Sequence, residues 1–295
     1  MASIIENIKV LRETTGAGMV DCKKALEANN NDIQLAVDWL REKGIMKAAK
    51  KASRIAAEGL TAIAVNGNDA AIVEVNSETD FVAKNQSFID LVQSIADAVV
   101  KAKPASLELA NKVALGNSTI ESAIVEATAR IGEKISFRRF EVVSKDANSA
   151  FGAYSHMGGK ISVVTVIDGT NDETVAKDIA MHIAAFAPQY LTRNEIPADV
   201  VEKETHIQLE AAKTDPKLAS KPEAVLAGII KGKLSKQFAE VCLVDQPFAK
   251  DPSLTVAQYA NTVKGTVKSF VRYNVGEGMQ KREDNFAEEV MAQVK

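Results

Sequence analysis

The sequence predicts a multidomain α+β protein. It should hold an N-terminal three-helix module, two α+β core subdomains with antiparallel sheets, an inserted helical hairpin and a C-terminal helix. Three observations lead there. Apolar residues recur at helical spacing through residues 1–45, and the period becomes extended from Leu60 onward. The strand–strand–helix order of that first extended unit then returns from Ala150, until a long polar helical stretch interrupts it. The boundaries implied are 1–54 for the helical module and its linker, and 55–145 for the first core subdomain. The second core subdomain takes 146–187 with 241–275, the inserted hairpin 188–240, and a C-terminal module 276–295.

Each element has a local cause. Ser3 and Glu6 stand at capping-box spacing, and Ile4, Ile5, Ile8 and Leu11 share the helical face that follows. Thr15-Gly16-Ala17-Gly18 ends that helix, because glycine reaches the left-handed conformation of a C-cap. Met19, Cys22 and Leu26 mark a second helix. After the turn Asn29-Asn30-Asn31-Asp32, a third stripe of Ile33, Ala36, Val37 and Leu40 is expected to stop before Gly44. Helices this short are stable only around a shared core. Arg41 to Arg54 then carries six cationic residues and one acid, a pattern expected of a solvated linker helix. A nucleic-acid contact is not expected there, since no aromatics are interleaved for base stacking.

Leu60 to Val65 and Ala71 to Val75 read as strands joined by Asn66-Gly67-Asn68-Asp69, a hairpin signal. Phe88, Leu91, Val92, Ile95 and Val99 mark an amphipathic helix stopped at Pro104. A helix follows near Thr119 to Arg130, then a strand from Ile135 to Val143. In the second unit, strands at Ala150–Tyr154 and Ile161–Ile167 flank the turn Met157-Gly158-Gly159. A helix at Thr174–Ala187 should turn Val175, Ile179, Ile183 and Phe186 inward. From Pro197 to Glu240 the chain is polar and helical, broken at Asp215-Pro216 and Lys221-Pro222, hence a hairpin. Val241–Val244 is expected to resume a strand, Thr255–Val263 to form a short helix and Thr266–Val275 the last strand. Phe286, Val290 and Val294 should line a terminal helix.

Composition narrows the function. Of 295 residues 46% are hydrophobic and 25% charged, ordinary for a globular chain with a sizeable core. Net charge is -3, so the chain as a whole is not drawn to nucleic acid or acidic membranes. No run approaches the ~18 apolar residues of a membrane span. The N-terminal segment MASIIENIKV lacks a signal peptide's basic flank and long apolar stretch, so cytoplasmic residence is expected. Cys22 and Cys242 have neither metal-ligand nor CxxC spacing, and are expected to be reduced thiols.

Catalytic groups are sparse. His182 lies in a predicted helix and should be packed, and His206 sits on the polar hairpin. His156 stands in a turn without an assignable acid or nucleophile. No Walker A pattern is present, and Gly16-Ala17-Gly18 is better read as a helix–helix turn than as an anion cradle. No catalytic residue, cofactor or metal is therefore expected. The unusual segment is Asn76-Ser77-Glu78-Thr79-Asp80-Phe81-Val82-Ala83-Lys84-Asn85, between a strand and a strong helix. Either Asp80 caps a turn and Phe81 folds onto the core, which general burial tendencies favour, or Phe81 is an apolar anchor for a partner.

Here the residues resemble a known family. Leu11-Arg12 with Thr15-Gly16-Ala17-Gly18-Met19-Val20-Asp21-Cys22-Lys23-Lys24-Ala25-Leu26 is similar to the N-terminal signature of the elongation factor Ts family. Glu74 through Asn85 resembles its second signature. Ile179-Ala180-Met181-His182, Gln246-Pro247-Phe248 and Val275-Gly276-Glu277-Gly278 follow in the family's order. Val20 stands where many members carry a second Met, and Tyr273-Asn274 where Phe-Glu is common. The resemblance implies a guanine nucleotide exchange factor, not an enzyme, that promotes GDP release from the GTPase elongation factor Tu during protein biosynthesis. It implies that residues 1–54 are ubiquitin-associated-like (UBA-like) and grip the partner through Arg12, Met19, Val20 and Lys23. It further implies that Asp80 and Phe81, flanked by Thr79 and Val82, intrude near the partner's Mg²⁺ and nucleotide site. His156 would approach the phosphate-binding loop, and the insertion would be a coiled coil able to mediate self-association. Two rival classes, a ubiquitin-type or ribosome-binding adaptor and an enzyme built on His156, rank below this reading.

Overall fold

The structure, a computed structural model, describes residues 3–215, 218 and 221–280. At the N-terminus the capping box forms as the sequence predicts. Ser3 Oγ accepts the Glu6 amide at 3.3 Å and Glu6 accepts the Ser3 amide at 2.8 Å, opening α1 (Ile4–Thr15). Gly16, at φ 65°, closes it. Helices α2 (Met19–Ala28) and α3 (Ile33–Lys51) pack against it around Leu11, Cys22, Ala25, Leu26 and Ala36, all fully buried. The third helix does not stop before Gly44. It continues to Lys51, because Gly44 is where α3 crosses a later helix, α7 (Ile120–Ile131): a Cβ there would lie 3.5 Å from the Ala129 methyl. The basic stretch is accordingly a docked helix rather than a free linker. Lys47 pairs with Asp21 at 3.0 Å, and the Lys51 ammonium holds the Gly132 carbonyl at the end of α7, where cations are favoured.

The first core unit is β1 (Glu58–Asn66), β2 (Asp69–Ser77), α4 (Asp80–Ala83), α5 (Gln86–Ala102), α6 (Leu107–Asn111), β3 (Ala114–Leu115), β4 (Ser118–Thr119), α7 (Ile120–Ile131) and β5 (Ser136–Ser144). Its main sheet is antiparallel, in the order β1-β2-β5, with the hairpin closed by Gly67-Asn68 between the paired Asn66 and Asp69. Helix α5 buries Phe88, Val92, Ile95, Ala96 and Val99 on it. The short α6 and the β3–β4 ribbon had no counterpart in the sequence reading.

The second unit holds β6 (Ser149–His156), β7 (Ile161–Asp168), α8 (Glu173–Phe186), α9 (Ala198–Thr214), α10 (Glu223–Val241), β8 (Pro247–Phe248), β9 (Asp251–Thr255), α11 (Val256–Asn261) and β10 (Thr266–Asn274). Its antiparallel sheet runs β10-β7-β6. Helix α8 lies directly on β6: a Cβ at Gly152 would stand 2.0 Å from the Ala176 carbonyl oxygen. Val175, Ile179 and Ile183 face inward as expected, but Phe186 does not. It stands at the last turn of α8, 55% exposed, stacked on His182 at 4.6 Å between ring centroids. Nor is Val241–Val244 a strand. Helix α10 runs through Val241, a 3-10 turn spans Leu243–Asp245, and Cys242 makes a single parallel bridge with Tyr190. Burial of Leu243 in the second core needs only that one turn.

The two sheets share a core. On β2, Ala71, Val73 and Val75 face α5, while Ala70 and Ile72 face the other way. The latter pack with Phe151, Val164, Val166, Val271 and Tyr273 of the second sheet. The result is helix, sheet, sheet, helix, which explains why every residue from Ala70 to Ser77 is buried. Helices α9 and α10 stand apart as an antiparallel hairpin with its own small core of Ala212, Ile230 and Leu234, and Gln237 donates to Glu204 at 2.8 Å. The expected terminal helix around Phe286, Val290 and Val294 lies outside the described residues.

Candidate functional site

Strand β2 delivers the chain to Ser77, and the single turn α4 follows at Asp80. Phe81 does not fold back onto the core: 78% of it is exposed. Val82 and Ala83 turn inward instead and join the first core. Asp80 pairs with Lys84 at 2.7 Å, and the Lys84 ammonium lies 5.6 Å from the centre of the Phe81 ring. The hydrogen bond from Lys84 is the main reason that the Asp80 carboxyl titrates below its ordinary value, with Lys84 and Lys160 charges adding to it.

The loop is braced from behind. Thr79 donates its amide and its hydroxyl to the Glu133 carboxylate, at 2.9 and 2.7 Å. Glu78 accepts the Lys134 amide at 2.6 Å and pairs with Arg54 at 3.2 Å. Thr79 and Val82 therefore hold the loop from inside rather than lie on its open face.

His156 ends β6 on the same edge. It is exposed, and its Nδ1 lies 2.9 Å from the Tyr154 hydroxyl. The turn beyond it carries Met157 at φ 50° and 71% exposed. Gly159, at φ 95°, brings this turn against β1: its carbonyl accepts the Thr61 amide at 2.7 Å, and a Cβ would meet the Thr61 carbonyl at 2.7 Å. Lys160 pairs with Glu58 at 2.6 Å, and Glu58 is the register partner of Ser77. The β6–β7 turn and the Phe81 loop are thus joined through the first residues of β1.

Arg12, Met19, Val20 and Lys23 lie on the separate three-helix unit. Met19 is 60% and Val20 65% exposed at the start of α2. Arg12 and Lys23 are exposed as well, Lys23 at 3.7 Å from Glu27. This unit is seated on α7 through Gly44 and through Gly16, which approaches the Arg130 side chain. The sequence assigns no role to Met157, Glu78 or Glu133. Met157 stands in the Gly-rich turn and Glu78 in the unusual segment around Phe81, but Glu133 meets Thr79 across 54 positions and carries no local signal.

His182 is 1% exposed and satisfied as a neutral imidazole. Its Nδ1 accepts the Ala249 amide at 3.2 Å, so Nε2 carries the proton toward Gln246 Oε1 at 2.8 Å. Burial pushes its pKa down, against a smaller upward effect of Gln246. Among the described residues no group of three or more His, Cys, Asp or Glu could hold a metal ion, and no helix is long and apolar enough to cross a membrane.

An α+β scaffold that carries an exposed phenylalanine on a braced loop, beside an exposed Met-His turn, belongs to the class of proteins that act by recognition. Compared with known protein families, residues 78–277 match the family described as Elongation factor TS. The match covers more than half of the chain, and the chain belongs to that family. Membership implies nucleotide exchange on the GTPase elongation factor Tu as the function and elongation factor Tu as the partner.

Proposed function

We propose that the chain releases GDP from elongation factor Tu by inserting Phe81 between the elements that support the partner's Mg²⁺ site. A GTPase holds GDP through phosphate-loop amides, a lysine and Mg²⁺. Displacing the metal leaves phosphate charge uncompensated, and GDP leaves faster without covalent chemistry. Asp80, tied to Lys84, fixes the wedge, Thr79 and Val82 hold it from inside, and His156 acts on the phosphate loop from the neighbouring turn. The single observation that supports this reading is Phe81, 78% exposed on a loop whose backbone is held by the half-buried Glu133. Left in solvent the ring adds little to the fold, whereas a partner that covers it gains its burial.

Residues 1–54 serve as a UBA-like domain that supplies affinity through Arg12, Met19, Val20 and Lys23, while the core, 55–145 and 146–187 with 241–275, supplies the coupling. The hairpin at 188–240 acts as a coiled coil for self-association, which sedimentation would detect as a larger species lost on its removal. Residence is cytoplasmic. Linkage makes the effect reciprocal: what weakens GDP is equally weakened by GDP. A shift of about 10³-fold corresponds to ~4 kcal/mol. One buried aromatic anchor contributes ~2–4 kcal/mol, so Phe81 needs the second turn as well.

The test is stopped-flow release of a fluorescent GDP from elongation factor Tu. Acceleration by the wild-type chain, strongly reduced in Phe81→Ala with nucleotide-free binding largely kept, is the expected result. Equal losses in release and binding would refute the division of labour.

A further inference from the structure

We infer that Glu133 is a positioning residue for Phe81, and that its carboxylate fixes the direction in which the Phe81 loop meets its partner. The inference rests on the Phe81 reading above. Helix α4 has only four residues and no side-chain N-cap, so it cannot hold its own orientation. What orients it lies on the loop after α7. Two adjacent peptides on each side are cross-tied: Glu133 takes the Thr79 amide and hydroxyl, and Glu78 takes the Lys134 amide. Ser77 closes the near side by donating to the Thr79 carbonyl at 2.9 Å.

The same loop is fastened to the end of α3. Lys134 Nζ donates to the carbonyls of Ala52 and Arg54 at 2.7 and 2.9 Å, Arg54 pairs with Glu78, and Lys51 reaches Gly132. The segment Gly132–Lys134 is therefore the point where the three-helix unit and the Phe81 loop are held by one set of charges. Charge-assisted bonds to backbone amides are stronger and more directional than neutral ones. Two charge-assisted bonds on Thr79, one from its amide and one from its hydroxyl, lie two residues before Phe81 and restrict the swing of its ring more than its own turn can.

The experiment is GDP release by stopped flow across factor concentrations, with wild type, Glu133→Ala, Glu133→Gln, Phe81→Ala and the double variant Glu133→Ala/Phe81→Ala. Glutamine can accept the Thr79 amide with its oxygen and donate to the Thr79 hydroxyl, so it should restore the clamp. Glu133→Ala is expected to lower the maximal release rate about tenfold, because a displaced wedge loses its alignment. The half-saturating concentration should change less than about threefold, since most contact area is untouched. Glu133→Gln should stay near wild type, and the double variant should be no slower than Phe81→Ala alone. A full rate for folded Glu133→Ala, with Phe81→Ala slow, overturns the positioning role and leaves the Phe81 reading standing. So does an equal slowing by Glu133→Ala in the Phe81→Ala background. A full rate for Phe81→Ala overturns the Phe81 reading and this inference together. If Glu133→Ala does not fold, Thr79→Val removes one of the two bonds and should slow release about threefold. An unchanged rate there overturns the proposal.

Discussion

Glu74 offers the sharpest test of how the core is held. It lies on β2, fully buried, where four donors converge on its carboxylate: Arg138 at 2.9 Å, Arg139 at 2.6 Å, Asn76 at 3.0 Å and the Gly276 amide at 2.8 Å. Glu74→Gln keeps the volume but offers one acceptor oxygen and turns an NH₂ group toward other donors. Breaking a buried ion pair from one side costs about 3–5 kcal/mol. The two arginine side chains here are 24% and 30% exposed and keep the Glu277 and Asn274 carbonyls, so the lower end applies. We expect a loss of about 3 kcal/mol, read as a lower urea midpoint by circular dichroism, or about 6–12 °C in Tm. The loss should depend on pH with a definite sign. Burial alone would raise the Glu74 pKa, but the Gly276 amide, Asn76, Arg139 and Arg138 outweigh it and hold it below its ordinary 4.5. A depressed carboxylate stabilises the fold above the unfolded value and loses that contribution as pH falls through the folded value. The gap between wild type and Glu74→Gln is therefore full near neutrality and narrows in acid below 4.5. A loss under about 1 kcal/mol would mean the converging donors find water instead. A gap unchanged by acid would mean the carboxylate's charge is not what holds them.

Other outcomes follow from the same geometry. Phe81→Ala should leave stability within about 0.5 kcal/mol, since the ring is mostly in water, and a larger shift in the urea midpoint would contradict its exposure. His182→Gln should flatten the pH dependence of Tm. Below the ordinary 6.5 the unfolded imidazole takes up a proton that the buried one resists, so wild-type stability falls by up to ~1.4 kcal/mol per pH unit until the folded value is reached. Parallel Tm curves for the two proteins between neutrality and about pH 5 would refute the assigned burial of a neutral imidazole. Gly152→Ala should cost about 3 kcal/mol in the same denaturation assay, because the added methyl meets the α8 backbone rather than a side chain that can move. A near-neutral effect would show that α8 can lift from β6.

The braced loop gives the family signature a physical form. A recognition element must be ordered enough to avoid a large entropic penalty on binding, yet exposed enough to be reached. The Phe81 loop meets both demands by dividing them between neighbours. Val82 and Ala83 anchor it in the core, Glu133 and Glu78 hold its backbone, and Phe81 faces outward with the Asp80–Lys84 pair. The adjoining turn repeats the device with Gly159 bound to Thr61 and Met157 left in solvent.

What the sequence determined by itself is what is decided within a few residues. The capping box at Ser3 and Glu6, the Gly67-Asn68 hairpin, the apolar stripe of α5 and the helix stops at Gly16 and Pro104 all follow from local geometry, and each element stands where its pattern placed it. The signature around Phe81 identified the family, but its residues gave no direction to the ring. Only the tertiary structure decided that Phe81 faces out and Phe186 with it, and that the two sheets share a core. It also decided that α3 runs on through Gly44 because α7 is there to receive it. It alone placed Glu133 beside Thr79 and gathered four donors on Glu74. Periodicity and capping are properties of neighbouring peptides, legible along the chain. Which charged groups meet, and which apolar side chain is left in water, depends on surfaces that exist only once distant segments have packed.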